Sequence, residues 1–452
     1  MNTENNIEPV KAGVKPYMFW IAFVSVLGGL LFGFDTAVIS GAERQIQEVY
    51  GLSGFAHGFT MATALIGTII GALFCGKPAD CFGRKPTLIA VALLYLISAV
   101  FSGAIVNWYF FMFFRFIGGL AVGASSVVGP MYIAETSPAK WRGRFVCFFQ
   151  FNIVLGIVLA YLSNYFIAGV PNDWQWMIIA ESVPALFFFV LMFTVPESPR
   201  WLISKGRECA AREVFVKTGE PDADNEIISI RKTIAEVSSG VKSHIFKKKY
   251  WKPVLIAFLI ATFNQLSGIN AILYYAPRLL EQSGIFSDGA LLQSVIIGIT
   301  NLTFSMVGLL LIDKFGRRKL IGAGALGMVF CQAMVARGFA TGAFQGYYML
   351  IFLMGYVAFF AMSLGATIWV VIAEVFPQEV RAGGQVFGSM THWFWSALLT
   401  WMFPVVLTSN RGAMWIFIFF SLIAFLSLFF AIWLPETKGK SLEDIRKEMI
   451  KE

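Results

Sequence analysis

One short phrase occurs twice in this chain. Asp80-Cys81-Phe82-Gly83-Arg84-Lys85 returns as Asp313-Lys314-Phe315-Gly316-Arg317-Arg318, 233 positions later in a sequence of 452 residues. Two further phrases keep nearly the same step. Glu135, Pro138 and Arg142 recur as Glu374, Pro377 and Arg381, and Pro196-Glu197-Ser198 recurs as Pro435-Glu436-Thr437, both 239 positions on. Each phrase punctuates long apolar runs, so the chain reads as a duplicated membrane bundle. Such bundles suit the movement of solutes, because two similar halves rock about a site held between them.

The apolar runs set the solvent. Hydrophobic residues make up 57% of the chain and charged residues 14%, against about 25% charged in a soluble domain. Mean hydropathy is +0.70. Runs of roughly 20 apolar residues, long enough to cross the hydrocarbon layer, fill most of the length. Spans are expected near 17–41, 54–78, 86–106, 109–133, 145–168 and 174–195, then near 253–281, 290–312, 318–340, 346–373, 383–408 and 413–434. The expected fold is an all-α integral membrane protein. Its twelve transmembrane helices form two pseudo-symmetric six-helix bundles, at 1–197 and 251–434. Between them, 198–250 reads as a cytoplasmic linker of short amphipathic helices, broken at Gly219-Glu220-Pro221-Asp222. A cytoplasmic tail occupies 435–452, with a charged helix over Ser441–Lys451.

The formal net charge of +8 is concentrated in particular turns: Lys77, Arg84 and Lys85; Lys140, Arg142 and Arg144; Lys247-Lys248-Lys249; Lys314, Arg317, Arg318 and Lys319. Short basic loops stay cytoplasmic, which places both termini inside and suits a bacterial inner membrane. A basic chain also raises nucleic acid as a partner. Charge confined to juxtamembrane turns, and not gathered on one face, counts against it. Met1–Pro16 is polar and mixed in charge, unlike a signal peptide. Five cysteines without CxxC spacing read as free thiols, and three scattered histidines offer no metal spacing. No phosphate-binding Gly-x4-Gly-Lys-Ser/Thr loop is present, which disfavours ATP-driven pumping. Neither enzyme chemistry nor a cofactor is expected beyond a proton as coupling ion, and a single chain suffices as the working unit.

Asp35 stands inside the first span, in Leu31-Phe-Gly-Phe-Asp-Thr-Ala37. A charge at a helix centre costs on the order of 3 kcal/mol on insertion scales. Such a group persists when it is paired, wet or needed. Arg115, deep in the fourth span, is the natural counter-ion, and Glu181 in the sixth is a third buried charge of the same half. The plain reading is an ion pair that locks helices together. The sharper reading is a proton site, since a carboxyl that alternates between dry surroundings and a guanidinium changes its hold on a proton.

The second half has no matching buried acid but carries a polar stripe of Asn264, Gln265, Asn270, Tyr274 and Tyr275. On a continuous helix, Gln265, Asn270 and Tyr274 share one broad face. Neutral amides with aromatic rings suit an uncharged polyhydroxylated ligand, because amides both donate to and accept from hydroxyls while rings stack on apolar CH faces. Gln150, Asn301 and Trp369 lie in other spans and can converge on the same cavity. His392 reads equally as a cavity residue or a helix-interface group. The amides also suit plain interhelical hydrogen bonding. Asp80 and Asp313 are placed to cap a helix or to bind Arg84 and Arg317. With Glu135, Arg142, Glu374 and Arg381 they form a candidate cytoplasmic latch that separates when the inside opens.

Taken together, Pro196-Glu-Ser-Pro-Arg-Trp-Leu202, the two Asp-x-Phe-Gly-Arg turns, Gln265-Leu-Ser-Gly-Ile-Asn270 and Pro435-Glu-Thr-Lys-Gly439 resemble the sugar porter branch of the major facilitator superfamily. The resemblance spans essentially the whole chain, and bacterial pentose– and hexose–proton symporters look most alike. It implies alternating access around one central monosaccharide site. It also implies that Asp35 and Arg115 form the proton-coupling pair with Glu181 nearby, and that Gln150, Gln265, Asn270, Tyr275, Asn301 and Trp369 contact the sugar. Facilitative relatives usually hold Asn where this chain has Asp35, which favours symport over a sugar or inositol uniporter. A sugar sensor of the same fold is a third possibility, against which the short termini count. Three residues depart from the pattern. Asn264 stands for the first Gln of a usual pair, Ala366 stands where Pro is frequent, and His392 replaces an amide or small residue.

Overall fold

The computed structural model describes residues 16–220, 222–239, 244–282, 284, 287–342, 347–377, 379–440 and 449. The tail helix expected over 441–451, Met449 apart, and the polar stretch before Pro16 fall outside the described residues. The first half contains α1 (Pro16–Val49), α2 (Gly54–Phe74), α3 (Arg84–Ala104), α4 (Trp108–Thr136), α5 (Ala139–Ile167) and α6 (Asp173–Thr194). The second contains α7 (Lys248–Gln282), α8 (Ser287–Phe315), α9 (Arg317–Thr341), α10 (Tyr348–Val375), α11 (Arg381–Leu407) and α12 (Gly412–Trp433). Among the described residues, eleven helices are long and apolar enough to cross a membrane. The twelfth, α11, has 27 residues and falls short in hydropathy because Gln385, Ser389, Thr391, His392 and Ser396 interrupt it.

The helices begin where the sequence supplies partners for free amides. Ser53 Oγ accepts from Ala56 N at the start of α2, and Asn107 Oδ1 accepts from Tyr109 N and Phe110 N at the start of α4. Small residues then set how closely the helices pack. A methyl at Gly33 of α1 would meet Ile153 O of α5 at 1.7 Å, and one at Gly119 of α4 would meet Ala64 O of α2 at 1.9 Å. α1 therefore lies against α5 and α2 against α4, while the halves meet through α2 with α11, α5 with α8 and α1 with α7.

Three spans are interrupted, each near a polar residue. α6 breaks after Ile179 and resumes at Ser182, with Glu181 in the gap. α7 breaks between Leu266 and Ile269, where Gly268 takes φ +99°. α10 passes through a π-helical stretch, Ala361–Gly365, just before Ala366. The irregularity expected of a proline there is supplied instead by a register change in the hydrogen bonding. Beyond the spans, helices Pro199–Ser204, Glu208–Thr218 and Ala223–Ser239 gather around Leu202, Ile203, Ala211, Val214, Phe215 and Ile227. The helix Glu208–Thr218 ends on left-handed Gly219.

The repeated phrases build the same device twice. Gly83 and Gly316 adopt φ +110° with ψ 164° and φ +86° with ψ 165°, a region almost confined to glycine. They turn the chain so that the carboxylate of Glu197 accepts from the amides of Arg84 and Lys85, and that of Glu436 from Arg317 and Arg318. An anion thus caps the bare N-terminus of α3 and of α9. Burial pushes the Glu197 carboxyl up, and the amides of Ser198, Lys85 and Arg84 draw it back. Arg84 then grips Glu135 at 2.9 Å, and Arg317 grips Glu374 at 2.8 Å. Ser198 and Thr437 donate to those same two glutamates. Of the two roles open to Asp80 and Asp313, capping falls to the glutamates. The aspartates lie one turn before Arg84 and Arg317 and pair with them, at 3.1 and 3.3 Å.

A methyl at Gly83 would lie 2.2 Å from Glu197 Oε2, and one at Gly316 2.6 Å from Glu436 Oε2. Gly83→Ala and Gly316→Ala should each destabilise the protein by at least about 2 kcal/mol, seen as a lowered melting temperature in detergent. Gly143→Ala, with open space around it, should leave melting unchanged. Equal melting for all three would remove the carboxylate cap as a structural element.

Candidate functional site

Close packing of α1 on α5 holds Asp35 in the interior of the first half, with 3% of its surface exposed. Arg115, 2% exposed on α4, reaches it with Nη1 at 2.5 Å from Oδ1 and Nη2 at 3.4 Å from Oδ2. Glu181, in the gap of α6, is 1% exposed and interacts electrostatically with both, while its Oε2 has no hydrogen-bond partner. Two acids therefore share one guanidinium in a dry setting. If both are ionised, one negative charge is left over, and a single proton removes it. The neighbourhood is otherwise spare. Tyr95 Oη pairs with Ser125 Oγ at 2.9 Å, and the Ser98 hydroxyl is unpartnered.

Across the interface, α7, α10 and α11 assemble a polar cage. Asn270 donates to Gln265 Oε1 at 2.9 Å and to Ser396 Oγ at 2.6 Å. The amide nitrogen of Gln265 lies 3.1 Å from Asn264 Oδ1 and 3.0 Å from His392 Nε2. Asn264 in turn donates to the carbonyl of Leu364, inside the π-helical stretch of α10. The rings of Trp369 and Trp393 stand 5.0 and 4.9 Å from that of His392. Amide, imidazole and indole thus present donors, acceptors and flat apolar faces side by side.

The break at Gly268 corrects the single-face argument for α7. Gln265 and Asn270 do not share one continuous helix. The left-handed glycine turns the chain back so that the two amides meet directly. Tyr275 lies outside the cage. Its ring stacks on Phe403 at 4.9 Å, its hydroxyl donates to Thr400 O, and its edge faces His57. Tyr274 is buried within electrostatic reach of Asp35 and Arg115. Asn301 is buried and accepts from Ser305, and Gln150 is half-buried; among the described residues, neither hydrogen-bonds to the cage. Ser396 and Trp393 escaped the sequence reading. The signal was available, since Ser396 follows His392 by one helical turn on the same face.

An aromatic pair joins the helices that carry the two clusters. Phe32 lies three residues before Asp35 on α1, and its ring is 5.6 Å from that of Trp393. Other contacts between the halves gather at the end remote from the basic turns. There Glu43 meets Arg278 at 3.1 Å, Arg44 meets Glu281 at 2.8 Å, and Phe55 and Phe59 pack on Trp401. At the basic end Glu135 and Glu374 pair within their own halves, Arg142 is exposed, and Arg381 donates to Phe376 O. No ion pair joins the halves at the basic end among the described residues. The same residues offer no cluster suited to a metal ion, and their cysteines are free.

Residues 21–449 match the model of a family described as sugar (and other) transporters. The chain is 36% identical to the D-xylose-proton symporter of Escherichia coli strain K12, over 98% of this chain and 96% of that protein. It is 34% identical to the arabinose-proton symporter of Bacillus subtilis strain 168, over the full length of both. Among solved structures, the inward open conformation of the xylose transporter XylE from E. coli superposes with a TM-score of 0.84. That match is 36% identical and covers 96% of this chain and 100% of the other. The twelve-helix, two-bundle fold is the one these relatives share, and the chain belongs to the sugar transporter family, whose members are transporters and not enzymes.

Proposed function

We propose that this protein imports a monosaccharide, a pentose or a hexose, together with protons. Asp35 carries the proton and Arg115 modulates its release. One observation carries the reading: Asp35 and Glu181 are buried around a single guanidinium, so the cluster's charge balances only when one acid is protonated. Removing one partner of such a buried pair is costly, about 3–5 kcal/mol. The pair therefore responds sharply to whatever changes its surroundings. The cage of Gln265, Asn270, His392, Ser396 and Trp369 supplies the sugar site, with Gln150, Asn301 and Tyr275 joining as the halves close on substrate. The Phe32–Trp393 contact gives the cage a direct hold on the helix that bears Asp35.

In this reading the basic turns face the cytoplasm, both termini lie inside, and the protein works as a monomer in a bacterial inner membrane. The bundles at 1–197 and 251–434 rock about the site while the segment 198–250 tethers them. The structure then represents an inward-facing arrangement, tied at its outer end by Glu43–Arg278 and Arg44–Glu281. Asp80, Arg84, Glu135, Arg142, Asp313, Arg317, Glu374 and Arg381 form the cytoplasmic gate, reaching across only when the inside closes.

A membrane potential of 100 mV is worth about 2.3 kcal/mol per charge, so one proton per sugar sustains roughly 50-fold accumulation. Asp35→Asn should abolish accumulation of labelled sugar while exchange down a sugar gradient continues. Full accumulation by the variant would remove Asp35 as the carrier, and equal behaviour of both proteins without accumulation would favour the uniporter. Gln265→Ala leaves Asn270 and His392 without their shared partner, and should raise the KM for sugar by about 10–100-fold. An unchanged KM would detach the cage from the substrate.

A further inference from the structure

A second buried acid–base cluster lies at the end of the molecule opposite the basic turns, and coupling through Asp35 leaves its chemistry unused. Glu43 of α1 is 1% exposed and His57 of α2 is wholly buried. Glu43 Oε2 lies 2.8 Å from His57 Nε2 and 3.1 Å from Arg278 Nη1, and Arg278 comes from α7 in the other half. Arg278 also donates to Gln47 Oε1 at 2.9 Å. The remaining ring nitrogen of His57, Nδ1, has no hydrogen-bond partner. We propose that Glu43 and His57 form a second proton-binding site, in which a proton on His57 replaces Arg278 as counter-charge to Glu43 when this mouth opens.

The argument is one of charge balance. In the closed mouth Glu43 has a guanidinium from the opposite half, so His57 serves as a neutral ring donating its Nε2 proton. Arg278 rides on Ile269–Gln282, the part of α7 beyond the Gly268 break, which is kinked again at Tyr275 and carries Pro277. That segment must leave α1 for the mouth to open, and Arg278 leaves with it. Glu43 then keeps His57 as the one neighbour able to supply a counter-charge. Water admitted by the opening connects the free Nδ1 to the outer medium, and a proton from that medium binds there. The imidazolium balances Glu43, and the Nε2–H···Oε2 bond persists throughout. Reclosing returns Arg278 and expels the proton.

The other polar groups around His57 leave this exchange undisturbed. On α7, the ring of Tyr275 lies with its centroid 6.2 Å from that of the imidazole, the two planes at 67°. Glu281 is engaged by Arg44, which also holds Glu48. On α11 the residues that meet Phe55 and Tyr275 beside His57 are Thr400, Trp401 and Phe403, and on α4 Trp108 donates to Thr60 one turn along α2; none of the four carries charge. Histidine is the side chain whose charge changes between pH 5 and 8. Acid outside therefore favours the open mouth, and alkali the closed one.

The test uses full-length protein in intact cells, with Asp35→Asn present so that the central site does not contribute. A cysteine replaces Thr400, which is buried beside Tyr275, and a membrane-impermeant thiol reagent probes it from outside. At each pH the labelling rate is divided by that of the same cysteine in the His57→Gln protein, so that the thiol's own ionisation cancels. This ratio should rise about fivefold between pH 8 and pH 5.5. Arg278→Gln should raise labelling at pH 8 by weakening the closed mouth. A ratio that stays flat with pH, or no effect of Arg278→Gln, would each overturn the proposal. The proposal rests on the basic turns facing the cytoplasm, and native Cys81, exposed in the first of those turns, reports that orientation separately. It should react only after permeabilisation; reaction in intact cells would overturn the orientation instead.

Discussion

The structure depends on a guanidinium buried with two acids, paired with Asp35 and within electrostatic reach of Glu181. Hydrocarbon tolerates a charge only in company, and the Asp35–Arg115 pair obliges α1 and α4 to keep a fixed approach. Small residues make that approach possible, because α1 meets α5 and α4 meets α2 with backbone against backbone. The first half is therefore rigid around its charged core. The second is built differently: α7, α10 and α11 are each broken or studded with polar groups, and their irregular backbone is tolerated because it lines the cage and not the lipid.

The duplicated phrases explain how two such unlike halves remain one machine. Each half closes its basic end with the same assembly of a glycine turn, a carboxylate cap, an arginine and a second glutamate. These assemblies stiffen each half from within. The ties between halves sit at the other end, in Glu43–Arg278, Arg44–Glu281 and the rings around Trp401. Rigid bodies tied at one rim, with no ion pair between them at the other among the described residues, have the arrangement that rocking requires.

Much of this is legible in the sequence. The repeat and the apolar runs identify twelve spans, and the cost of a buried charge singles out Asp35 and its partner Arg115. The cage is legible in its residues but not in its geometry. Spacing alone makes Gln265 and Asn270 neighbours on one continuous face, whereas the Gly268 break brings them together by another route. The stacking of Tyr275 on Phe403, a partner 128 positions away, is likewise something no local pattern shows. The capping role of Glu197 and Glu436 is hidden for the same reason. Each acts across more than a hundred residues, on a turn whose own aspartate is the nearer candidate. What local spacing conceals is the long-range partner, and in a bundle most polar groups find their partners at long range.

The central claim is that sugar and proton cross together. The most direct measurement is the pH of a weakly buffered medium as xylose, arabinose or glucose is added to de-energised cells carrying the protein. Entry of the accepted sugar should alkalinise the medium in proportion to the sugar taken up, and a protonophore should abolish the signal while sugar still enters. Sugar uptake with no movement of protons would contradict the account.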